Sequence, residues 1–356
     1  MKKQNFETRE ARKFTNFGEQ LKAVCNAGTP GGDVDTRLLN INSMDTSTPS
    51  DGGYLVQEEV INEILDNVYD DDPILSKVTR FQCKKHSNGL KINTINETSR
   101  VDGSRWGGIQ AYWESEAEQI AASKPKFKQM VMTLKKLTGL CYATDELLED
   151  VPALEEVIKA AFTNEFMFNI TSKILYGSGV GEPLGIMNSN VLVTTSKEEG
   201  QTEIITTENL MKMLVSCYDR YGRAEWYMNV SLMPHLYKLR IGEGTGSIPA
   251  YIPGDLSSDG TPQGTLLGKK VNFIEQTNEP GKLGDIILAD FSQYAVAEKG
   301  TMRANQSIHV RFIYDETAFR FVYRMDGQPM WKSTITPYKG SLPKSPFVTL
   351  EARITE

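Results

Sequence analysis

One long apolar stripe, closed by a run of glycines, constrains this chain more than any other feature. Leu154, Ile158, Ala161, Phe162, Phe166, Ile170 and Ile174 recur at three- and four-residue intervals, the spacing that aligns side chains on one face of an α-helix. Asp150 is placed to cap that helix, and Pro152 suits its first turn, where no amide hydrogen is needed. From Pro152 to Leu175 such a helix runs about 35 Å, well above the usual length. Gly177-Ser178-Gly179-Val180-Gly181 follows. A phosphate-cradling loop precedes its helix, so that free amides point at the anion; glycines after a helix predict a C-cap and a tight chain reversal.

The flanking sequence is of mixed type, and the whole reads as α+β. Residues 1–50 are polar and rich in turn formers, an extended arm with room for a short helix near Thr15–Cys25. Val60, Ile61, Ile64, Leu65 and Val68 mark a helix over Glu58–Asp70, which Asp70-Asp71-Asp72-Pro73 stops. These aspartates lack calcium-loop spacing and read as a solvated turn.

Residues 83–143 read as a long β excursion. Every second side chain of a strand shares a face, so Glu114, Glu116 and Glu118 form an acidic stripe and Lys124, Lys126 and Lys128 a basic one. The stripes either fold toward each other across a turn, meet opposite stripes on a neighbouring subunit, or remain solvated. Exposed pairs contribute only about 0–1 kcal/mol each and act more in partner choice. Further on, a helix is expected over Thr207–Tyr221, a strand at Trp226–Val230 and a helix at Met233–Arg240. Apolar strands are expected at Leu266–Val271 and Ile286–Phe291, then alternating ones at Ile308–Ile313 and Ala318–Arg324.

Composition narrows the function classes. The 356 residues carry a formal charge of −7, which argues against a dedicated nucleic-acid binder without excluding a container for nucleic acid. No apolar run approaches the roughly 20 residues of a membrane span, and the N-terminus has no secretory pattern. Cys25, Cys83, Cys141 and Cys217 are scattered and read as free thiols of a reducing compartment. His86, His235 and His309 are too dispersed for a zinc site or a proton relay. No nucleophile elbow or metalloprotease helix occurs. Asp145, Glu146, Glu149 and Asp150 form the one carboxylate cluster with acid–base potential, but beside a helix start they suit its dipole. No catalytic residue, cofactor or metal is expected.

Gly52-Gly53-Tyr54-Leu55-Val56 before a helix and Trp113-x-Glu, taken with the segments that follow, resemble the core entry and an extended-loop strand motif of the tailed-bacteriophage major capsid proteins, a family of the Hong Kong ninety-seven fold. Asp145-Glu146-Leu147-Leu148-Glu149-Asp150 resembles the segment before its long helix. Tyr176 through Ile186 resembles the turn after it, Gly-x-Gly-x-x-x-Pro-x-Gly-Ile. Leu267-Gly268-Lys269-Lys270-Val271 and Ala289-Asp290-Phe291-Ser292-Gln293-Tyr294 resemble two later segments, with Lys270 in place of the usual proline and Ala289 in place of glycine.

The resemblance implies an N-terminal arm at 1–50 and an extended loop at 84–142. It implies a peripheral domain at 51–83, 143–199 and 298–356 built on a long spine helix, and an axial domain at 200–297. It implies a virion shell protein, assembled in the bacterial cytoplasm into hexamers and pentamers around double-stranded DNA. Portal, scaffold, maturation protease and decoration proteins are the partners it admits; a membrane is not among them. Some relatives crosslink lysine to asparagine with a glutamate promoting the bond, but no such trio matches here around Lys84, Lys85, Lys91, Lys124, Lys126 or Lys128, and no crosslink is expected. Two alternatives stand beside this reading. One is an encapsulin-like compartment enclosing enzyme cargo; the other is a hydrolase or transferase using the carboxylates near Asp145.

Overall fold

The structure is a computed structural model that describes residues 19, 23, 35, 37, 53–55, 67–69, 72–84, 87–95, 97–113, 122–144, 151–201, 204–242, 246–254, 264–300, 302–311, 314 and 316–353. Its early elements are β1 (Gly53–Leu55), β2 (Thr79–Gln82), β3 (Gly89–Ile95), β4 (Phe127–Thr133), β5 (Lys135–Thr144) and the long helix α1 (Val151–Tyr176). Then come β6 (Val193–Thr195), α2 (Thr207–Ser216), β7 (Glu225–Met228), the single turn α3 (Met233–Leu236), β8 (Arg240–Ile241), β9 (Ile248–Pro249) and β10 (Tyr251–Ile252). The last are β11 (Thr265–Leu266), β12 (Lys269–Phe273), β13 (Ile286–Ala289), β14 (Tyr294–Glu298), β15 (Arg303–Arg311), β16 (Glu316–Pro329) and β17 (Phe347–Leu350). The mixed α+β composition read from the sequence is what these elements make.

The chain divides into two compact units. The first comprises Met1–Leu75, Lys135–Asn169 and Lys299–Met325; the second comprises Ser76–Leu134, Ile170–Glu298 and Asp326–Glu356.

In the first unit, β1, β15, β16 and β5 form an antiparallel sheet in that order. Phe319, Phe321, Tyr323 and Met325 alternate into the core while Arg320 and Arg324 point away. This is the period-two pattern of a sheet covered on one face. The cover is α1: the Phe162 ring lies 4.1 Å from that of Phe321, centroid to centroid. Ile158, Phe162 and Phe166 are buried along the helix, as its periodicity required, whereas Ala161 falls off the stripe and is exposed. The Tyr69 and Tyr323 hydroxyls share a buried hydrogen bond of 3.2 Å. Asp72 is not solvated, as the acidic turn suggested. It is buried, and its Oδ1 accepts from the amides of Ile74 (2.7 Å) and Leu75 (2.9 Å).

In the second unit, seven strands lie in the order β10-β11-β12-β7-β13-β17-β6. All four residues of β13 and of β17 are buried, as strands in the middle of a covered sheet must be. Trp226 is fully buried there, its indole nitrogen donating to Leu266 O at 3.0 Å. α2 begins with a capping box: Thr206 Oγ1 accepts from the Asn209 amide, and Asn209 Oδ1 accepts from the Thr206 amide.

Three elements depart from the sequence expectation. The helix expected over Met233–Arg240 is only the turn α3, Met233–Leu236, and Arg240 begins β8. α2 stops at Ser216 rather than Tyr221, because Cys217 takes an extended backbone and the Tyr218 amide donates to Ser345 O at 2.7 Å. Leu266–Val271 is not one strand but the hairpin β11–β12. Leu267 and Gly268, with φ of 49° and 79°, supply the two left-handed residues of a tight hairpin turn. The Glu58–Asp70 helix is described only at 67–69, which is helical, and the arm helix only at Glu19 and Ala23; the rest of both lies outside the described residues.

The turn after α1 is the chain reversal that its glycines predicted. Gly177 N donates to Lys173 O (2.9 Å) and Gly185 N to Gly177 O (2.8 Å). A Cβ on Gly185 would stand 2.5 Å from Gly177 N, so the two strands of the reversal touch backbone to backbone. Lys173 Nζ and Glu182 Oε2 pair across it at 2.7 Å, and Glu182 Oε1 accepts from the Ser178 amide at 2.8 Å.

Candidate inter-subunit surface

β3 and β4 pair antiparallel from Gly89 opposite Thr133 to Ile95 opposite Phe127. The sequence Phe127-Lys128-Gln129-Met130-Val131-Met132 divides by parity. Met130 and Met132 are fully buried against Cys83, Leu134, Ala295 and Ala297, with Leu90 and Ile92 packed beside them. The opposite face carries Phe127, 65% exposed, with its cross-strand partner Ile95 and with Val131, 51% exposed. A two-stranded ribbon is marginal in water by itself, and here one face anchors it while the other presents apolar side chains to solvent.

The segment beyond β3 is held by its own turns and ties. Gly103, Gly107 and Gly108 take positive φ, and so does Trp106 at 51°. A Cβ on Gly107 would stand 2.7 Å from Lys126 O, and the Lys126 amide donates to Gly107 O at 2.9 Å, so glycine is required for this approach. Ser99 bridges Thr336. Arg100 donates to Glu97 (2.7 Å) and to Tyr218 Oη (3.2 Å), and its guanidinium lies 5.1 Å from the centre of the Tyr218 ring. Tyr218 in turn packs on Trp331, 5.1 Å between centroids. Fastened in this way, the segment still leaves Val101, Trp106, Ile109 and Tyr112 exposed and Trp113 wholly so. Large apolar side chains concentrated on one excursion mark an interaction surface.

The charged stripes fare differently. Lys124, Lys126 and Lys128 are all exposed. Lys128 is directly opposite Thr94, on the Met130 side of the ribbon. Lys126 lies near Asp102, whose carboxyl is held below its usual range by hydrogen bonds from Ser104, with a smaller contribution from the lysine charge. Burial, and then the neighbouring charge of Lys128, push the Lys332 ammonium down. Glu114, Glu116 and Glu118 lie outside the described residues, as do Asp145–Asp150, His86 and the side chain of His309; His235 is half-buried. The acidic stripe, and with it any pairing of the two stripes, therefore lies outside the described residues. The apolar face Ile95–Phe127–Val131 escaped the sequence reading because the neighbouring lysines dominate the composition. Its signal was the parity of apolar residues on both sides of one strand.

No helix among the described residues is long and apolar enough to cross a membrane. Among them, no group of three or more histidine, cysteine, aspartate or glutamate side chains is placed to hold a metal ion.

The model of the Phage capsid family matches residues 52–340. No curated protein sequence matches significantly. Among solved structures, the capsid of a native GTA particle, computed with C5 symmetry, is similar with a TM-score of 0.57 at 15% identity, covering 81% of this chain and 91% of that one. The structure from Microbacterium phage Oxtober96 is similar with a TM-score of 0.52 at 10% identity, covering 79% and 90%. That from Mycobacterium phage Adephagia has a TM-score of 0.51 at 10% identity, covering 80% and 90%.

Proposed function

This chain belongs to the phage capsid family, and from that premise we propose that it is the major capsid protein of a tailed phage, a shell subunit of the Hong Kong ninety-seven type. The observation that carries the reading is the family match over residues 52–340. The exposed apolar face of the β3–β4 ribbon and the exposed Trp106 and Trp113 support it, because a shell subunit completes its burial in its neighbours.

In this reading the subunits associate as hexamers and pentamers of an icosahedral shell around double-stranded DNA, assembled in the host cytoplasm. Residues 1–50 serve as an arm, 84–142 as a neighbour-reaching loop, 200–297 as an axial domain, and the remainder as a peripheral domain. Glu114, Glu116, Glu118, Lys124, Lys126 and Lys128 contact neighbouring copies. A net charge of −7 suits a wall that encloses nucleic acid without gripping it. The chain itself performs no catalysis, and its portal, scaffold, protease and decoration partners are those of a phage head.

Sedimentation tests this. The chain expressed in bacteria is expected to travel as large particles, and the phage-borne particles to hold nuclease-protected double-stranded DNA. A chain that sediments only as a small species would refute the shell reading, and particles filled with an enzyme cargo would identify a compartment instead.

A further inference from the structure

β7 and β12 are adjacent parallel strands of the second unit, and Tyr227 stands directly opposite Asn272. Glu225 comes two residues before Tyr227, so Glu225, Tyr227 and Asn272 share one face of the sheet. Lys77, just before β2, reaches that face. Its ammonium donates to Glu225 Oε2 and, at 3.2 Å, to Tyr227 Oη. Asn272 Nδ2 donates to the same Glu225 oxygen at 2.6 Å and to Trp226 O at 3.4 Å. One carboxylate oxygen therefore stands between a primary amine and a carboxamide.

The surroundings hold this trio in place and limit the access of water. Asn272 is 2% exposed, and the Glu225 and Lys77 side chains are 19% and 28% exposed. The Tyr227 ring lies 5.4 Å from the Lys77 nitrogen, is fully buried, and packs edge-on against Phe291 at 4.9 Å. An asparagine with a purely structural role in a buried strand has both ends of its amide paired. Asn272 Oδ1 is buried and has no hydrogen-bond partner among the described residues.

We propose that Lys77 and Asn272 are the two ends of an isopeptide bond that forms within the folded chain, with Glu225 as the proton carrier. Glu225 takes a proton from the Lys77 ammonium, and the freed amine adds to Asn272 Cγ. The Nζ–Cγ bond forms and the Cγ–Nδ2 bond then breaks. Glu225 passes the two protons shed by Nζ to Nδ2, which leaves as ammonium, and one hydrogen stays on the new amide. No oxidant, metal or further reactant enters the balance. Held against one oxygen, the amine and the carboxamide need no diffusional encounter. The bond closes a loop of more than half the chain, and a crosslink across a long loop restricts the unfolded chain most. It joins two segments of one subunit, so it is independent of the shell reading, and the expectation of no crosslink between subunits stands.

Intact-mass spectrometry of the full-length chain tests this. The wild type is expected to be lighter than its covalent sequence by one ammonia, while running as a single subunit on a denaturing gel. Fragmentation of a proteolytic digest should place the link between Lys77 and Asn272. Glu225→Gln, which keeps the shape of the carboxylate, should retain the ammonia, and so should Lys77→Arg, with folding of both checked by circular dichroism. A folded wild-type chain of full mass after prolonged incubation would overturn the proposal. So would an ammonia loss that maps to a succinimide at Asn88–Gly89, or one undiminished in folded Glu225→Gln. The wild-type mass requires no substitution, so it decides the matter even where a variant fails to fold.

Discussion

The ring of Phe162 on α1 occupies the space that a side chain on Gly139 would fill. A Cβ there would overlap the Phe162 ring edge, standing 3.0 Å from its Cδ1, and would lie 3.4 Å from Phe166 Cε1. Gly139 is the direct cross-strand partner of Phe321, whose ring is the one Phe162 packs on. The missing side chain on one strand is thus the socket for the helix.

Gly139→Ala is therefore expected to destabilise the unassembled chain by about 1–3 kcal/mol through overpacking, and Phe162→Ala by about 3–5 kcal/mol through the cavity. Combining Gly139→Ala with Phe162→Ala should cost less than the sum of the two single changes, since both act on one contact. Denaturant unfolding of the four proteins measures this; strict additivity would show that the two positions do not share a socket.

The thiols should be inert in the folded chain. Burial pushes Cys141 up to about 11 and Cys217 up to about 12, and Cys83 is buried as well. Only the thiolate reacts. In a Cys25→Ser background at pH 8, Ellman's reagent should react slowly with the native chain and with three thiols after denaturation. Rapid native labelling would contradict the packing described around β5 and α2.

The reversal after α1 should weaken in acid. The Lys173 ammonium and the Ser178 amide hold Glu182 down to about 2. A carboxyl lowered on folding contributes stability above its unfolded value near 4.5, and that contribution fades as pH falls toward 2. Because the pair is largely exposed, Glu182→Gln should cost only about 0–1 kcal/mol at pH 7. It should also flatten the loss of stability between those two values. An acid-unfolding curve unchanged by the substitution would remove Glu182 from that role.

The two faces of β4 should separate folding from assembly. Met130→Ala is expected to destabilise the isolated chain by about 2–5 kcal/mol. Phe127→Ser with Val131→Ser should leave its unfolding midpoint nearly unchanged while depleting shells. Equal effects of both changes on monomer stability would mean that the outer face is not a partner surface.

Much of this was legible in the sequence because local rules suffice for it. α1 runs Val151–Tyr176 where periodicity placed it at Pro152–Leu175, and the alternation at Ala318–Arg324 falls within β16. What was not legible depends on distant partners. The Gly139 socket needs Phe162 from another element. The early end of α2 needs the pairing of Tyr218 with Ser345, which no propensity near residue 217 reports. The hairpin hidden in Leu266–Val271 turns on a leucine at φ 49°, a conformation its residue type argues against. At the surface, charge was easier to read than apolar exposure. Lysines and glutamates announce stripes, whereas Phe127 and Val131 resemble core residues until the register puts them outside.

Electron microscopy of the purified chain tests the central claim most directly. Closed shells of icosahedral symmetry, with the β3–β4 ribbon of each subunit seated on its neighbour, are the expected result. A chain that remains dispersed as single subunits, under conditions where it is folded by circular dichroism, would contradict the account.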